Sequence, residues 1–447
     1  MDDSQDISAD DAERLEDEMQ ERALAESGLV LAAGNSAPFH LKSVENIKAG
    51  FAVSALSLKA LMTTATLAKV AGKTFETFLA ATVEVTQGVV RISTSSSEIT
   101  ARANLHVETF LPAERPGGVI FGIELSKLVR LAKCGQKGDE LNFALIGGEE
   151  EDFLEVQEFR HGVAQNLNLR LSVFDSDAPS LLQGTRSFSH DIASTSAMSK
   201  AIKLCRTART TVGKPDCSIS IENGLATGYS RTAVVLIRNP ELSAFPIPVP
   251  LGESKKIGLA IQNMKIAKVY VSDSAVIVTD GILELAIKTA KAEVPVVGDM
   301  RERFPAQCVV TGDIQDLKKT YLVAETLMEH WRVRARRQGV APEKYHIAHV
   351  RLEEGSLRFN VTRGPVVHDW VALPAMPDSQ TENSEWGAID LTSFSRVFAE
   401  IFAPTRGASK GITLAHCAHG MRFSCPEDAF EAYLSNFDSR DDRIRKR

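Results

Sequence analysis

"GVVRISTSSSEITARANL" occupies Gly88–Leu105. It opens on a glycine, where a chain can turn, and Val90, Ile92 and Ile99 mark the alternation of half-buried antiparallel strands. The same design returns as "GLATGYSRTAVVLIRNP" from Gly224 and "GSLRFNVTRGPVVHDWVAL" from Gly355, so the openings fall 136 and 131 residues apart. A pattern met three times at nearly one spacing organises the whole chain. Before each opening, a short apolar strand runs into a helix: "FAVSALSLKALMTTATLAKVAG" from Phe51, "SFSHDIASTSAMSKAIKLCRTAR" from Ser187 and "CVVTGDIQDLKKTYLVAETLMEHW" from Cys308. After it comes a second strand–helix pair: "GVIFGIELSKLVRLAKCGQK" from Gly118, "IPVPLGESKKIGLAIQNMKIAK" from Ile247 and "WGAIDLTSFSRVFAEIFA" from Trp386. Further strands follow, one pair joined by an Asp280–Gly281 hairpin turn. The reading is an α+β chain of three tandem domains, each with two helices packed on antiparallel sheets. Turn clusters near Asp175–Ser180 and Phe304–Gln307 set the boundaries at 48–183, 184–305 and 306–438. An acidic arm (1–47) precedes them and a charged tail (439–447) follows.

A chain of 447 residues exceeds one ordinary core, and its 44% hydrophobic and 24% charged content is that of a globular protein. No apolar run reaches the roughly 20 residues of a membrane helix, which predicts no membrane partner. The six cysteines follow no framework spacing, which fits a reducing, cytoplasmic location. The net charge of −7 conceals an asymmetry: residues 1–26 hold eleven acids against Arg14 and Arg22, a net of −9, leaving +2 for the rest. The arm, poor in aromatics and rich in acids, reads as a disordered, solvated tail.

Within this slightly basic body, the charge concentrates on helices. "MSKAIKLCRTARTTVGK" (Met198–Lys214) carries five bases and no acid. At helical spacing, Lys200, Lys203, Arg206 and Arg209 share one half of the circumference, and Met198, Ala201, Ile202, Leu204, Cys205 and Ala208 the other. The remaining helices of the first two repeats behave alike. Lys59, Lys69 and Lys73 lie on the first, and Lys127, Arg130, Lys133 and Lys137 against Glu124 on the second. Lys255, Lys256, Lys265 and Lys268 lie on the fourth. The third repeat is mixed. Solvated faces intersperse both signs, so four agreeing helices without a base-reading motif point to a phosphate backbone bound regardless of sequence.

Three tandem strand–helix–strand domains with basic helices resemble the bacterial DNA polymerase III β subunit family, the sliding clamps. "GVVRISTSSSEITARA" is similar to that family's first hairpin, and "VIFGIELSKLVRLAK" to its strand leading into the second helix. "RFP" (Arg303–Pro305) resembles the end of its second domain. The resemblance spans about residues 50–437. It implies two crescents closing head to tail into a homodimeric ring, with twelve helices around duplex DNA and six sheets outside. Such a ring tethers a polymerase, makes or breaks no bond and needs no cofactor. On this resemblance, Lys59, Lys69, Lys127, Arg130, Lys133, Lys200, Lys203, Arg206, Arg209, Lys255, Lys256 and Lys265 face the DNA. Arg231, Thr232, Pro305, Tyr345 and Leu434 line a pocket for peptides of the replicative polymerase and clamp loader. "YSRTA" stands where the family has an acidic-Gly-His-Arg turn, and "AYLSNFDSRDDRIRKR" replaces its apolar tail. The dimer edge is "NLRLSV" (Asn168–Val173), with Leu169 and Leu171 on one face, opposed by Leu327 and Met328 at the end of the fifth helix. "HWRVRARRQGVAPEKYH" (His330–His346) reads as a basic, solvated loop peculiar to this chain.

Enzyme signatures are missing: there is no Walker glycine loop, Gly-x-Ser-x-Gly elbow or His-Glu-x-x-His helix. "AHCAHG" offers His416, Cys417 and His419, but neighbours in a strand point to opposite faces, so no metal is expected there. "FDSD" (Phe174–Asp177) and "GEEEDF" (Gly148–Phe153) read as turns. Two other readings stay open. One is a clamp-fold protein that binds DNA or a replication partner as a monomer. The other is a nuclease or phosphotransferase using the acidic turns.

Overall fold

All three glycine openings are two-residue hairpins. Val89–Ser95 pairs with Ala80–Thr86 across Gln87–Gly88, Ser218–Glu222 with Leu225–Tyr229 across Asn223–Gly224, and Ile347–Glu353 with Ser356–Arg363 across Glu354–Gly355. Asn223 and Gly224 have φ 51° and 74°, and Glu354 and Gly355 φ 51° and 67°, the left-handed pair of a turn whose twist matches its strands. The structure, a computed structural model, describes residues 46–59, 80–96, 98–112, 117–183, 186–208, 218–230, 233–243, 246–250, 254–264, 266–272, 274–289, 305–339, 347–363, 366–374, 376–377, 384–402, 411–417, 419–425 and 429–435.

The chain divides into two units, residues 1–189 with 259–288 and residues 190–258 with 289–447. In the first, a five-stranded antiparallel sheet runs in the order Thr109–Phe110, Ile47–Ser54, Asp139–Ile146, Phe153–Arg160, Val163–Ser172. An eight-stranded sheet runs Ser187–Asp191, Lys268–Val271, Ala275–Thr279, Leu283–Lys288, Ile99–His106, Val89–Ser95, Ala80–Thr86, Val119–Glu124. Phe51 and Phe143 stack at 4.7 Å within the core of the five-stranded sheet. The second unit holds a nine-stranded sheet in the order Ile247–Pro250, Ser218–Glu222, Leu225–Tyr229, Ala233–Arg238, Phe430–Ser435, Gly420–Cys425, Gly411–Cys417, Ala306–Asp313, Met376–Pro377. A four-stranded sheet runs Val366–Pro374, Ser356–Arg363, Ile347–Glu353, Ser384–Asp390. The aromatic core of this second unit gathers Phe394, Phe398 and Phe423, with Phe394 and Phe398 4.7 Å apart.

Compactness therefore groups strands of successive repeats. Leu283 pairs with Ala103 and Ile287 with Ile99, and Ala233 pairs with Leu434. The physical gain is plain: an unpaired edge is an association hazard, and joining repeats edge to edge removes it. The first junction also carries a charge cluster. Glu284 accepts from Arg102 Nε at 2.7 Å and from Arg186 Nη2 at 3.0 Å, and the Arg186 guanidinium lies over the Tyr270 ring.

Helical residues occur at all six expected places: 55–59, α1 (Leu125–Cys134), α2 (Thr195–Cys205), α3 (Ser254–Gln262), α4 (Ile314–Arg337) and α5 (Leu391–Phe402). Short polar side chains start three of them. Ser194 accepts from the Ala197 N–H, Asp313 from the Gln315 N–H, and Asp390 from the Thr392 and Ser393 N–H groups. Gly228 lets α2 sit directly on its sheet: a Cβ there would lie 2.2 Å from the Cys205 carbonyl oxygen.

One expectation is corrected outright. The basic stretch from His330 is helix as far as Arg337, because α4 is 24 residues long. Leu317, Thr320, Ala324, Met328, Trp331 and Ala335 are buried at steps of three and four, and that stripe continues through the arginines. Residues 340–346 lie outside the described residues.

Asp139 and Arg160 face each other across two strands, with Arg160 Nε donating at 2.6 Å. This bond first, and the Gln136 N–H second, hold the Asp139 carboxyl down at about 2. Burial, and then Asp139 itself, push neighbouring Glu158 up. A carboxyl depressed in the folded state contributes stability that is complete above its unfolded pKa, about 3.9, and is lost as pH falls through about 2. Asp139→Asn should therefore melt below wild type at pH 7, with the gap closing between about pH 4 and 2. Thermal melts across that range check it; a gap independent of pH would remove the pair from the acid limb.

Candidate nucleic-acid interface

Each basic helix is anchored by an apolar stripe that leaves its cations outward. In α1, Leu125, Leu128, Leu131 and Ala132 are buried while Arg130 and Lys133 are exposed. Lys127 is half-buried and pairs with Glu124 at 3.2 Å, so part of its charge is neutralised locally. Bonds from Ser126 and then Lys127 hold the Glu124 carboxyl below its usual range. In 55–59, Ala55 and Leu58 are buried and Lys59 is exposed.

In α2, Met198, Ala201, Ile202 and Cys205 are buried, and the following turn (Arg206–Ala208) buries Thr207 and Ala208. Lys200 and Lys203 are exposed and Arg206 is half-buried, as the helical projection requires. The Cys205 thiol is pushed up by burial, so it packs as a neutral side chain. Lys255 and Lys256, both half-buried, occupy the first turn of α3. Gly258 faces α2: a Cβ on it would stand 3.5 Å from Ile202 Cγ2 and 3.7 Å from Ser199 Oγ. The two basic helices of the second repeat thus meet at a small residue. Lys69, Arg209 and Lys265 lie outside the described residues. The third repeat contributes mixed charge, with Lys319 tied to Asp316 at 2.7 Å.

The other assigned positions separate. Val163–Ser172 is a terminal strand of its sheet, with Leu169 38% exposed and Leu171 half-buried. Leu327 is half-buried, but Met328 is 6% exposed and receives the Thr392 hydroxyl at its sulfur. Met328 therefore belongs to the α4–α5 core and not to an open patch, because α4 continues beyond it instead of ending there. Leu434 is corrected likewise: at 2% exposure it packs inside the nine-stranded sheet, leaving no surface for a peptide. Pro305 is exposed. Arg231, Thr232 and Tyr345 lie outside the described residues.

His416 stacks on Trp386 at 5.6 Å while Cys417 is buried, the two faces expected of strand neighbours. Among the described residues, no group of three or more His, Cys, Asp or Glu is placed to hold a metal ion. No described helix is long and apolar enough to cross a membrane. The feature missed in the sequence is that Arg332, Arg334, Arg336 and Arg337 are exposed at the end of a 24-residue helix. The Ala324–Met328–Trp331–Ala335 period was the available signal.

Antiparallel sheets joining successive repeats, with outward-charged helices packed on them, define the DNA-clamp fold. The chain is similar along most of its length to solved bacterial clamps. It matches a DNA polymerase sliding clamp from Pseudomonas aeruginosa at TM-score 0.65 and 12% identity, over 87% of this chain and 99% of that one. It matches the DNA polymerase III subunit beta from Borrelia burgdorferi at 0.66 and 12%, over 89% and 100%. The DNA polymerase III beta subunit from Thermotoga maritima matches at 0.61 and 13%, over 87% and 99%. Compared by sequence, the chain matches no protein-family model and no curated protein.

Proposed function

We propose that the chain is a divergent sliding clamp of the DNA polymerase III β type, a homodimeric ring around duplex DNA that tethers replication proteins. The observation that carries this reading is coverage: the fold likeness takes in 99–100% of the solved clamps, not one domain of them. The charge agrees with it. Exposed cations on core-anchored helices suit a duplex held by diffuse electrostatics, while closure supplies residence and leaves the ring free to slide. The reading assigns no catalytic residue. Polymerase and loader peptides would dock near Pro305, by a motif adapted to this chain.

The test is topological. Wild-type protein loaded on closed circular DNA should stay bound and slide off once the circle is linearised. Leu169→Lys, at an exposed position of the free edge, should give a folded monomer near 48.6 kDa that no longer persists on circles. A wild type already monomeric at micromolar concentration would replace the ring with a clamp-fold protein binding as a monomer.

A further inference from the structure

The excess acid of the arm ends at Glu26, and residues 27–45 balance Lys42 against Glu45. The chain then enters the five-stranded sheet at Ile47–Ser54. There the Gly147 N–H donates to the Asn46 carbonyl at 3.0 Å, so the root of the arm lies beside the turn that carries Glu149, Glu150 and Glu151, all exposed. Like charges repel within a Debye length, about 10 Å at 0.1 M salt, which turns an acidic stretch away from this root.

The opposite charge stands at the other end of the same strand. A Cβ on Gly135 would lie 2.3 Å from the Ala55 Cβ, so the last turn of α1 rests where Ile47–Ser54 ends. From Leu125 to Gly138 the sequence has four bases and no acid, and Arg130, Lys133 and Lys137 are exposed. Lys133 and Lys137 make no ion pair among the described residues. The helix dipole favours a base in the last turn, which accounts for Lys133 but not for Arg130, or for Lys137 beyond the helix. A strand of eight residues separates the two ends by about 26 Å. Residues 27–45, as coil, span about 25 Å root-mean-square. A tether acts most strongly when its length matches the span, and it then holds its end at about millimolar effective concentration.

We infer that residues 1–26 dock on Arg130, Lys133 and Lys137 of the same chain and compete there with duplex DNA. The competition rests on the DNA reading of α1; the contact does not. A tethered polyanion lowers duplex affinity most at low salt, where its attraction to the basic face is least screened. The arm thus holds off a passing polyanion and yields to a duplex that engages the other basic helices as well.

The experiment uses the full chain carrying Cys217→Ser and a nitroxide on Cys134, which is exposed beside Lys133 while the other described cysteines are buried. Amide signals of residues 1–26 should broaden at about 0.05 M salt and recover at about 0.5 M, or when a short duplex is added. Arg130→Gln with Lys133→Gln and Lys137→Gln should abolish the broadening. Removing residues 1–26 should tighten duplex binding about 3- to 10-fold at about 0.1 M salt, with the gap narrowing as salt rises. An arm that does not broaden, or that broadens equally in the triple glutamine variant, overturns the contact. A nitroxide chain lacking residues 1–26 should leave the arm of an isotope-labelled full chain unaffected. Broadening in that mixture makes a second copy's arm the occupant and overturns the proposal equally. If the full and truncated chains bind duplex with the same affinity, the competition is overturned and the DNA reading stands. If neither binds duplex, that reading fails and the competition with it, and the broadening still decides the contact.

Discussion

Glutamate at Arg130, Lys133, Lys200 and Lys203 together is expected to weaken association with a short duplex about a thousandfold at 0.1 M salt. Each phosphate contact contributes roughly 0.9 to the slope of log affinity against log salt, so four lost contacts flatten it by about 3.6. All four side chains are exposed, and the residues anchoring the same helices, Leu128, Leu131, Met198 and Ile202, remain in place. The variant should therefore melt like wild type. The choice spans both repeats deliberately: α1 and α2 are proposed to hold one ligand, so reversing either pair alone should give about the square root of the full effect. Unchanged affinity and slope in a folded variant would take the helices out of the DNA interface.

Glu284→Ala is expected to lose about 3–5 kcal/mol, because it strands Arg102 with no counter-charge in a largely buried site. Glu284 and Arg102 side chains are 8% and 17% exposed, and Arg186, at 30%, is also released. Measured by thermal melting, that is a fall of about 10 °C for a unit of this size. The pair joins strands from two sequence repeats, so the loss should appear across the whole first unit and not in one hairpin. Glu284→Leu with Arg102→Met removes both charges and should recover most of the loss. If the double variant melts no higher than Glu284→Ala, the cost lies in packing and the charge argument fails.

The threefold repeat, the six helix positions and the cationic outer faces of α1 and α2 were legible in the amino-acid sequence. Each depends on local periodicity and on turn residues that force a conformation, as at Asn223–Gly224 and Glu354–Gly355. Such features follow from neighbours within a few residues. Fold likeness then survives at 12–13% identity, because a pattern of apolar, polar and turn positions can be kept while nearly every side chain changes.

Tertiary structure decided the rest. Strand alternation says which face of a strand is buried but not which strand lies beside it. Only the fold joined Leu283 to Ala103 and Ala233 to Leu434, across long stretches of chain. That second pairing is what buried Leu434 and removed it from the pocket. Met328 lost its interface role for a related reason: packing against α5 carried α4 on to Arg337 and enclosed the residue the sequence had placed at its end. Burial of a side chain depends on partners distant in sequence, and so does the meaning of a charge. Arg332–Arg337 reads as a solvated loop in isolation; on a helix packed against Val366–Pro374, it has a defined place in the fold.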